Sequence, residues 1–147
     1  MQKLIIFLII FFNFGNLFSN EEYFLTLRNE KVNLRQGPSF DYPVKIFYKK
    51  KFLPVLVQDR SENFRKVRDH ENNTGWIHIS QLSKKKAAIV IDDKLILFNS
   101  PTIYSNPLAI LKKGRLVKVK KCKNDWCKVI TRDFNGWVKK ESLWGLL

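Results

Sequence analysis

The chain has 147 residues, with 27 Lys or Arg against 13 Asp or Glu, a formal net charge of +14. That length suits one domain or two very small ones and excludes a large multidomain assembly. The basic excess draws the chain towards phosphate-bearing polymers, acidic lipids or nucleic acid, although abundant Lys, Asn, Ile and Phe also follow from an AT-rich genome without selection for binding.

Met1 to Lys3 give a short positive start, Leu4 to Phe12 an unbroken apolar run, and Asn13 to Ser19 a more polar tail before Glu21 and Glu22. This is the order of a secretory signal peptide, and the run is shorter than the roughly 20 apolar residues a membrane helix needs. Residues 1–19 are expected to be cut after Ser19, and the alternative is an uncleaved N-terminal segment that tethers the chain to the membrane. Either way the rest of the chain is exported to the periplasm.

Two segments then share one order of landmarks, Val32 to Ser83 and Leu95 to Gly145. Pro38 matches Pro101, Lys49-Lys50-Lys51 matches Lys112-Lys113-Gly114, and Leu53 to Val57 matches Leu116 to Lys120. Phe64-Arg65-Lys66-Val67 aligns with Trp126-Cys127-Lys128-Val129, and Gly75-Trp76-Ile77 with Gly136-Trp137-Val138. Such self-similarity reads as two copies of one module. Short apolar runs separated by Gly, Pro, Asn and Asp clusters make each copy β, and no stretch after the signal peptide keeps a helical period through two turns. Asn72-Asn73-Thr74-Gly75 and Asn135-Gly136 are predicted hairpin turns. The fold class is therefore all-β, with two tandem small barrels over residues 24–83 and 87–147. Ala88 to Ile91 is a candidate first strand of the second, and docking of the two would help cores that are marginal alone.

Val32-Asn33-Leu34-Arg35-Gln36-Gly37-Pro38-Ser39 with Asp41-Tyr42-Pro43-Val44, Gly75-Trp76-Ile77-His78 with Ser80 and Leu82, and the closing Glu141-Ser142-Leu143-Trp144-Gly145 resemble the bacterial Src-homology-3 (SH3) domain family. More narrowly they resemble its exported tandem form of alphaproteobacterial type, in which the second copy carries two Cys separated by four residues. The resemblance implies a five-to-six-stranded SH3-like barrel per copy and a binding or targeting role in the cell envelope, often towards peptidoglycan. The second copy departs from the motif, with Leu97-Phe98-Asn99-Ser100-Pro101 in place of Leu34-Arg35-Gln36-Gly37-Pro38.

An enzyme needs convergent catalytic groups, yet no Gly-x-Ser-x-Gly, His-Glu-x-x-His or phosphate-loop motif occurs. Both histidines, His70 and His78, lie in the first copy and both cysteines in the second. The expectation is a non-enzymatic module without cofactor or metal. Tyr42, Tyr48, Phe64 and Trp76 form the aromatic set of the first copy, with two or three aromatics per copy expected at the surface. Aromatic faces there stack on sugars or pack on peptide stems. The candidate ligand-binding residues are Arg35, Asp41, Tyr42, Trp76 and His78. Arg35 and Asp41 flank one turn and are candidates to pair, and the plainer role for His78 is to cover Trp76. The expected partner is a cell-wall component, or a periplasmic protein in an adaptor role, with nonspecific polyanion binding as a further reading and no specific nucleic acid.

Cys122 and Cys127 flank the loop Lys123-Asn124-Asp125-Trp126 on neighbouring strands, within disulfide reach. An exported protein oxidises such a pair. A metal site lacks further ligands, and a redox pair has two intervening residues rather than four. A structural disulfide is expected.

Overall fold

The computed structural model describes residues 21–147, so the expected signal peptide at 1–19 lies outside the described residues. The first copy contains β1 Tyr23–Leu27, β2 Val32–Arg35, β3 Val44–Tyr48, β4 Pro54–Ser61, β5 Phe64–Arg68, β6 Thr74–His78 and β7 Leu82–Ser83. The second contains β8 Ala87–Val90, β9 Lys94–Phe98, β10 Pro107–Lys112, β11 Leu116–Lys123, β12 Trp126–Ile130, β13 Asn135–Lys139 and β14 Leu143–Trp144. The only helical pieces among the described residues are 3-10 turns at Ile79–Gln81 and Lys140–Ser142, and no helix there is long and apolar enough to cross a membrane.

The strand orders are β3-β2-β6-β5-β4-β1-β7 and β10-β9-β13-β12-β11-β8-β14, the same path twice. Each copy thus has seven strands rather than the five or six the resemblance implied. The 3-10 turn after β6 reverses the chain so that Leu82 and Ser83 return to pair with Leu27 and Thr26, and Leu143–Trp144 repeats this against β8. Register breaks between Val57 and Asp59 and between Val119 and Lys121 fall at matching places. A bulge there bends the long strand, as a small barrel requires.

Alternation sets the first core. In β2, Val32 and Leu34 are buried while Asn33 and Arg35 are only partly covered, and Leu27, Val55, Val67 and Ile77 close the same cluster. The second core gathers Ala88, Val90, Leu97, Val117, Val129 and Val138.

β8 does not alternate, since Ala87, Ala88, Ile89 and Val90 are all buried. Ile89 packs in the first core, whereas Ala88 and Val90 pack in the second. The strand expected at Ala88 to Ile91 therefore exists one residue earlier and also serves as the wall between barrels. Leu116 of β11 packs against the first core as well, Trp144 meets Phe24 edge-on at 4.9 Å between ring centroids, and Val119 N–H donates to Lys86 O at 3.0 Å.

The two predicted hairpin turns have different outcomes. Asn72, at φ 67°, and Asn73 sit in the turn between β5 and β6, but Thr74 and Gly75 of the predicted turn already belong to β6. Asn135-Gly136 is instead the start of β13, Asn135 pairing with Ile130 and Gly136 with Val129. The loop there is Thr131 to Phe134, closed by Thr131 N–H to Phe134 O at 2.8 Å. Gly136 answers to packing, because a Cβ would lie 2.6 Å from Phe98 O.

Behind the β5–β6 turn lies a buried polar knot. The Tyr48 hydroxyl donates to Asp69 Oδ2 at 2.8 Å, and Asp69 Oδ1 accepts the Glu71 and Asn73 N–H groups at 2.9 Å each. Burial raises the Asp69 carboxyl, but the bonds from Asn73, Tyr48 and Glu71 outweigh it and hold the group below its usual range. Burial, then the hydrogen bond to Asp69 and the charge of that carboxylate, push the Tyr48 phenol well up.

Candidate functional site

The loop 36–43 joins β2 to β3 and is held by Arg35, the last residue of β2. Its Nη1 donates to Phe40 O at 3.2 Å and Tyr42 O at 2.9 Å, and its guanidinium carbon lies 5.3 Å from the Phe40 ring centroid. Gln36 N–H to Pro43 O at 3.1 Å closes the loop base, and Asp41 N–H donates to Ser39 Oγ at 3.1 Å. Gly37 allows the Tyr42 ring to lie on the backbone, because a Cβ there would overlap Tyr42 Cε1. Tyr42 nevertheless stays exposed, as does Phe40.

Phe40 meets Phe64 at 5.2 Å and His78 at 5.1 Å, and Phe64 meets His78 at 5.1 Å, all between ring centroids. Phe64 and His78 are cross-strand partners on β5 and β6, so their contact follows from register, and the loop brings Phe40 onto both. His78 Nδ1 accepts the Ser80 N–H at 3.2 Å and lies 2.7 Å from Ser80 Oγ. With Nδ1 accepting, the neutral ring carries its proton on Nε2. Trp76, half-buried, pairs with Arg35 on one side and Lys66 on the other.

Of the five predicted residues, Arg35, Tyr42, Trp76 and His78 are linked around this loop. Arg35 braces backbone carbonyls rather than pairing with the Asp41 carboxylate, and Asp41 takes part only through its N–H. His78 covers Phe64 and Phe40 rather than Trp76. Phe40 was missing from the predicted aromatic set, although its place between Gly37-Pro38 and Tyr42-Pro43 marks a turn apex. Tyr48, in that set, is buried in the polar knot instead. In the first copy Tyr23, Phe40, Tyr42 and Phe47 are all exposed, more than the two or three expected, whereas in the second Tyr104 and Phe134 are, within that expectation. No group of three or more His, Cys, Asp or Glu is placed to hold a metal among the described residues.

The second barrel does not repeat this arrangement. Phe98 pairs with Trp137 as Arg35 does with Trp76, and Lys139 faces Trp126 as His78 faces Phe64. A T-shaped Phe98–Trp126 contact at 5.7 Å and Lys139 Nζ at 5.5 Å from the Trp126 centroid fill the space. At the position of Tyr42, Ser105 Oγ accepts the Ser100 N–H at 2.9 Å. Cys122 and Cys127 form the expected disulfide, as cross-strand partners with Cα atoms 4.0 Å apart. Arg60 and Arg65 face each other at the matching place in the first barrel.

Two small bent barrels of seven antiparallel strands, the first carrying an Arg-braced aromatic loop, define a tandem SH3-like protein. The Bacterial SH3 domain family matches residues 28–84 and again 92–145, more than half of the chain, and the chain belongs to that family. No curated protein matches the sequence. Similar solved structures include NlpC2 and NlpC1 from Trichomonas vaginalis, each at 11% identity over 84% of this chain, with TM-scores of 0.39 and 0.38. Another is an NlpC/P60 family protein from Bacillus cereus, at 12% identity over 82% of this chain with a TM-score of 0.39. The chain spans 48%, 45% and 55% of the lengths of these three.

Proposed function

We propose that this chain is a non-enzymatic, exported binding module of the periplasm that holds a cell-wall component, peptidoglycan in particular, through the first barrel. Membership of a family whose domains generally bind cell-wall components supports the envelope role. The observation that carries the site is the pairing of a braced loop with exposed rings, Phe40 and Tyr42, beside His78 and Trp76. Fixed aromatic faces stack on sugar rings or peptide stems without first losing side-chain freedom. Arg35, its Nη1 engaged with two carbonyls, acts as the brace of the loop. The His78 Nε2–H is the donor beside the rings, and Asp41 supplies charge at the loop apex.

The test is co-sedimentation of the protein with purified peptidoglycan across a salt series. Tyr42→Ala, Phe40→Ala and Trp76→Ala are expected to weaken retention by roughly tenfold each, as loss of a contact of about 1.4 kcal/mol does. Retention unchanged by all three would sink the site. Retention lost wholly at high salt would assign it to unspecific charge, and no retention together with one crosslinked periplasmic partner would assign the module to an adaptor role.

A further inference from the structure

The hairpin of β9, loop 99–106 and β10 exposes five large apolar side chains on its outside, where its counterpart in the first barrel exposes Phe40, Tyr42 and Phe47. Ile96 and Ile110 are cross-strand partners, 42% and 61% exposed. Leu108 is exposed on β10, and at the loop tip stand Ile103 and Tyr104, the latter 91% exposed. The matching positions in the first barrel are Asn33 for Ile96, Phe47 for Ile110, by register Lys45 for Leu108, and in the equally long loop Phe40 for Ile103 and Asp41 for Tyr104, so three of the five are polar there. The barrel without the Arg-braced site has thus gained apolar side chains on its outside, and a cluster of that kind on one element marks an interaction surface.

Its occupant follows from three features. β10 is the edge of its sheet, but it starts at Pro107 and its register breaks between Pro107 and Ala109. Both obstruct addition of another strand, so the contact is made face-on. A second copy would bring the same net charge of +14 to the contact, which opposes self-association. Cations flank the apolar residues: Lys94 and Lys112 are cross-strand partners, and Lys113 and Arg115 follow in the next turn, against Asp92 and Asp93 before β9. Apolar side chains beside Lys and Arg match the acyl boundary and phosphates of an acidic bilayer, with Tyr at headgroup depth.

We propose that the second barrel docks face-on to an anionic phospholipid surface through its β9–β10 hairpin, burying Ile96, Ile103, Tyr104, Leu108 and Ile110. This interaction is separate from the ligand of the first barrel.

The experiment is hydrogen–deuterium exchange of the full chain with vesicles of phosphatidylglycerol and phosphatidylcholine, and with phosphatidylcholine alone. Protection confined to 94–112 with the anionic vesicles, and absent from 31–49, is the expected result. Ile110→Asp and Tyr104→Asp should each reduce that protected fraction by about tenfold, the loss of one buried apolar side chain. Phe47→Asp should leave it unchanged. All three positions are exposed, and circular dichroism checks that the fold is kept. Because the readout is local to the hairpin, any contribution of residues 1–20 to vesicle binding does not enter it. Equal protection by neutral vesicles, protection insensitive to both substitutions, or a dimer abolished by Ile110→Asp without vesicle protection would each overturn the proposal.

Discussion

Replacing Asp69 by Ala removes one acceptor from four hydrogen bonds, those of the Tyr48 hydroxyl at 2.8 Å, the Glu71 and Asn73 N–H groups at 2.9 Å, and Asn73 Nδ2 at 3.0 Å. The donors of the turn are near enough to the surface to turn to water, but the Tyr48 hydroxyl is buried. A hydrogen bond to a charged group contributes about 1.5–3 kcal/mol, and an orphaned buried donor costs about 1–3 kcal/mol. Taking the buried bond in full and the turn bonds at a fraction, Asp69→Ala should cost about 3 kcal/mol, or about 10 °C in Tm for a chain of this size. Tyr48→Phe alone should cost about 1 kcal/mol in the native background and close to nothing once Asp69 is Ala. Urea unfolding followed by tryptophan fluorescence measures all four corners of this cycle. A loss below about 0.5 kcal/mol for Asp69→Ala, or an equal cost of Tyr48→Phe in both backgrounds, would refute the reasoning.

The same knot fixes a pH dependence. The carboxyl of Asp69 is depressed in the folded chain, so its contribution is fully present above the unfolded value of about 3.9 and is lost as pH falls through the folded value. The Tyr48 phenol is raised, so its contribution is present below about pH 10 and is lost as pH climbs beyond that towards the folded value. Asp69→Asn should remove the acid-side loss that Asp69 itself contributes.

Reduction of the Cys122–Cys127 bond should lower stability by about 2 kcal/mol, since the closed loop is short, and intact mass before and after alkylation reports its state. Gly37→Ala should displace the Tyr42 ring, which a Cβ would overlap. Peptidoglycan retention should fall while the unfolding midpoint moves little. Arg35→Lys keeps the charge but loses the planar guanidinium that lies against the Phe40 ring while its Nη1 holds the two carbonyls. Faster exchange of the amides in loop 36–43, without global destabilisation, is expected.

The duplicated landmarks made the architecture legible in the sequence because each carries its own physical constraint. Gly75 and Gly136 are both glycine because a carbonyl of the neighbouring strand sits where a Cβ would be, and the residues buried around them alternate. That same demand defeated the turn reading of Asn135-Gly136, since a glycine needed for close approach looks like a glycine needed for a turn. The Cys122–Cys127 bond was legible from the separation of the two residues, the expectation of export and the family resemblance together. Phe40 was not, because a lone aromatic between turn residues carries no periodicity, and its neighbours Phe64 and His78 come from strands later in the chain. Arg35 was found by its motif, but its bonds to carbonyls depend on a loop conformation that composition does not encode. The apolar outer face of β9 and β10 stayed hidden for a related reason. Lys94-Leu95-Ile96-Leu97-Phe98 reads as one apolar run until pairing shows which side each residue takes.

The wall strand β8 has a bearing on whether the two barrels can be separated. With Ile89 in one interior and Ala88 and Val90 in the other, neither half can be excised without leaving its companion with an open flank. The two barrels are therefore expected to unfold as one unit, and either half expressed alone to expose apolar surface that the other covers in the full chain.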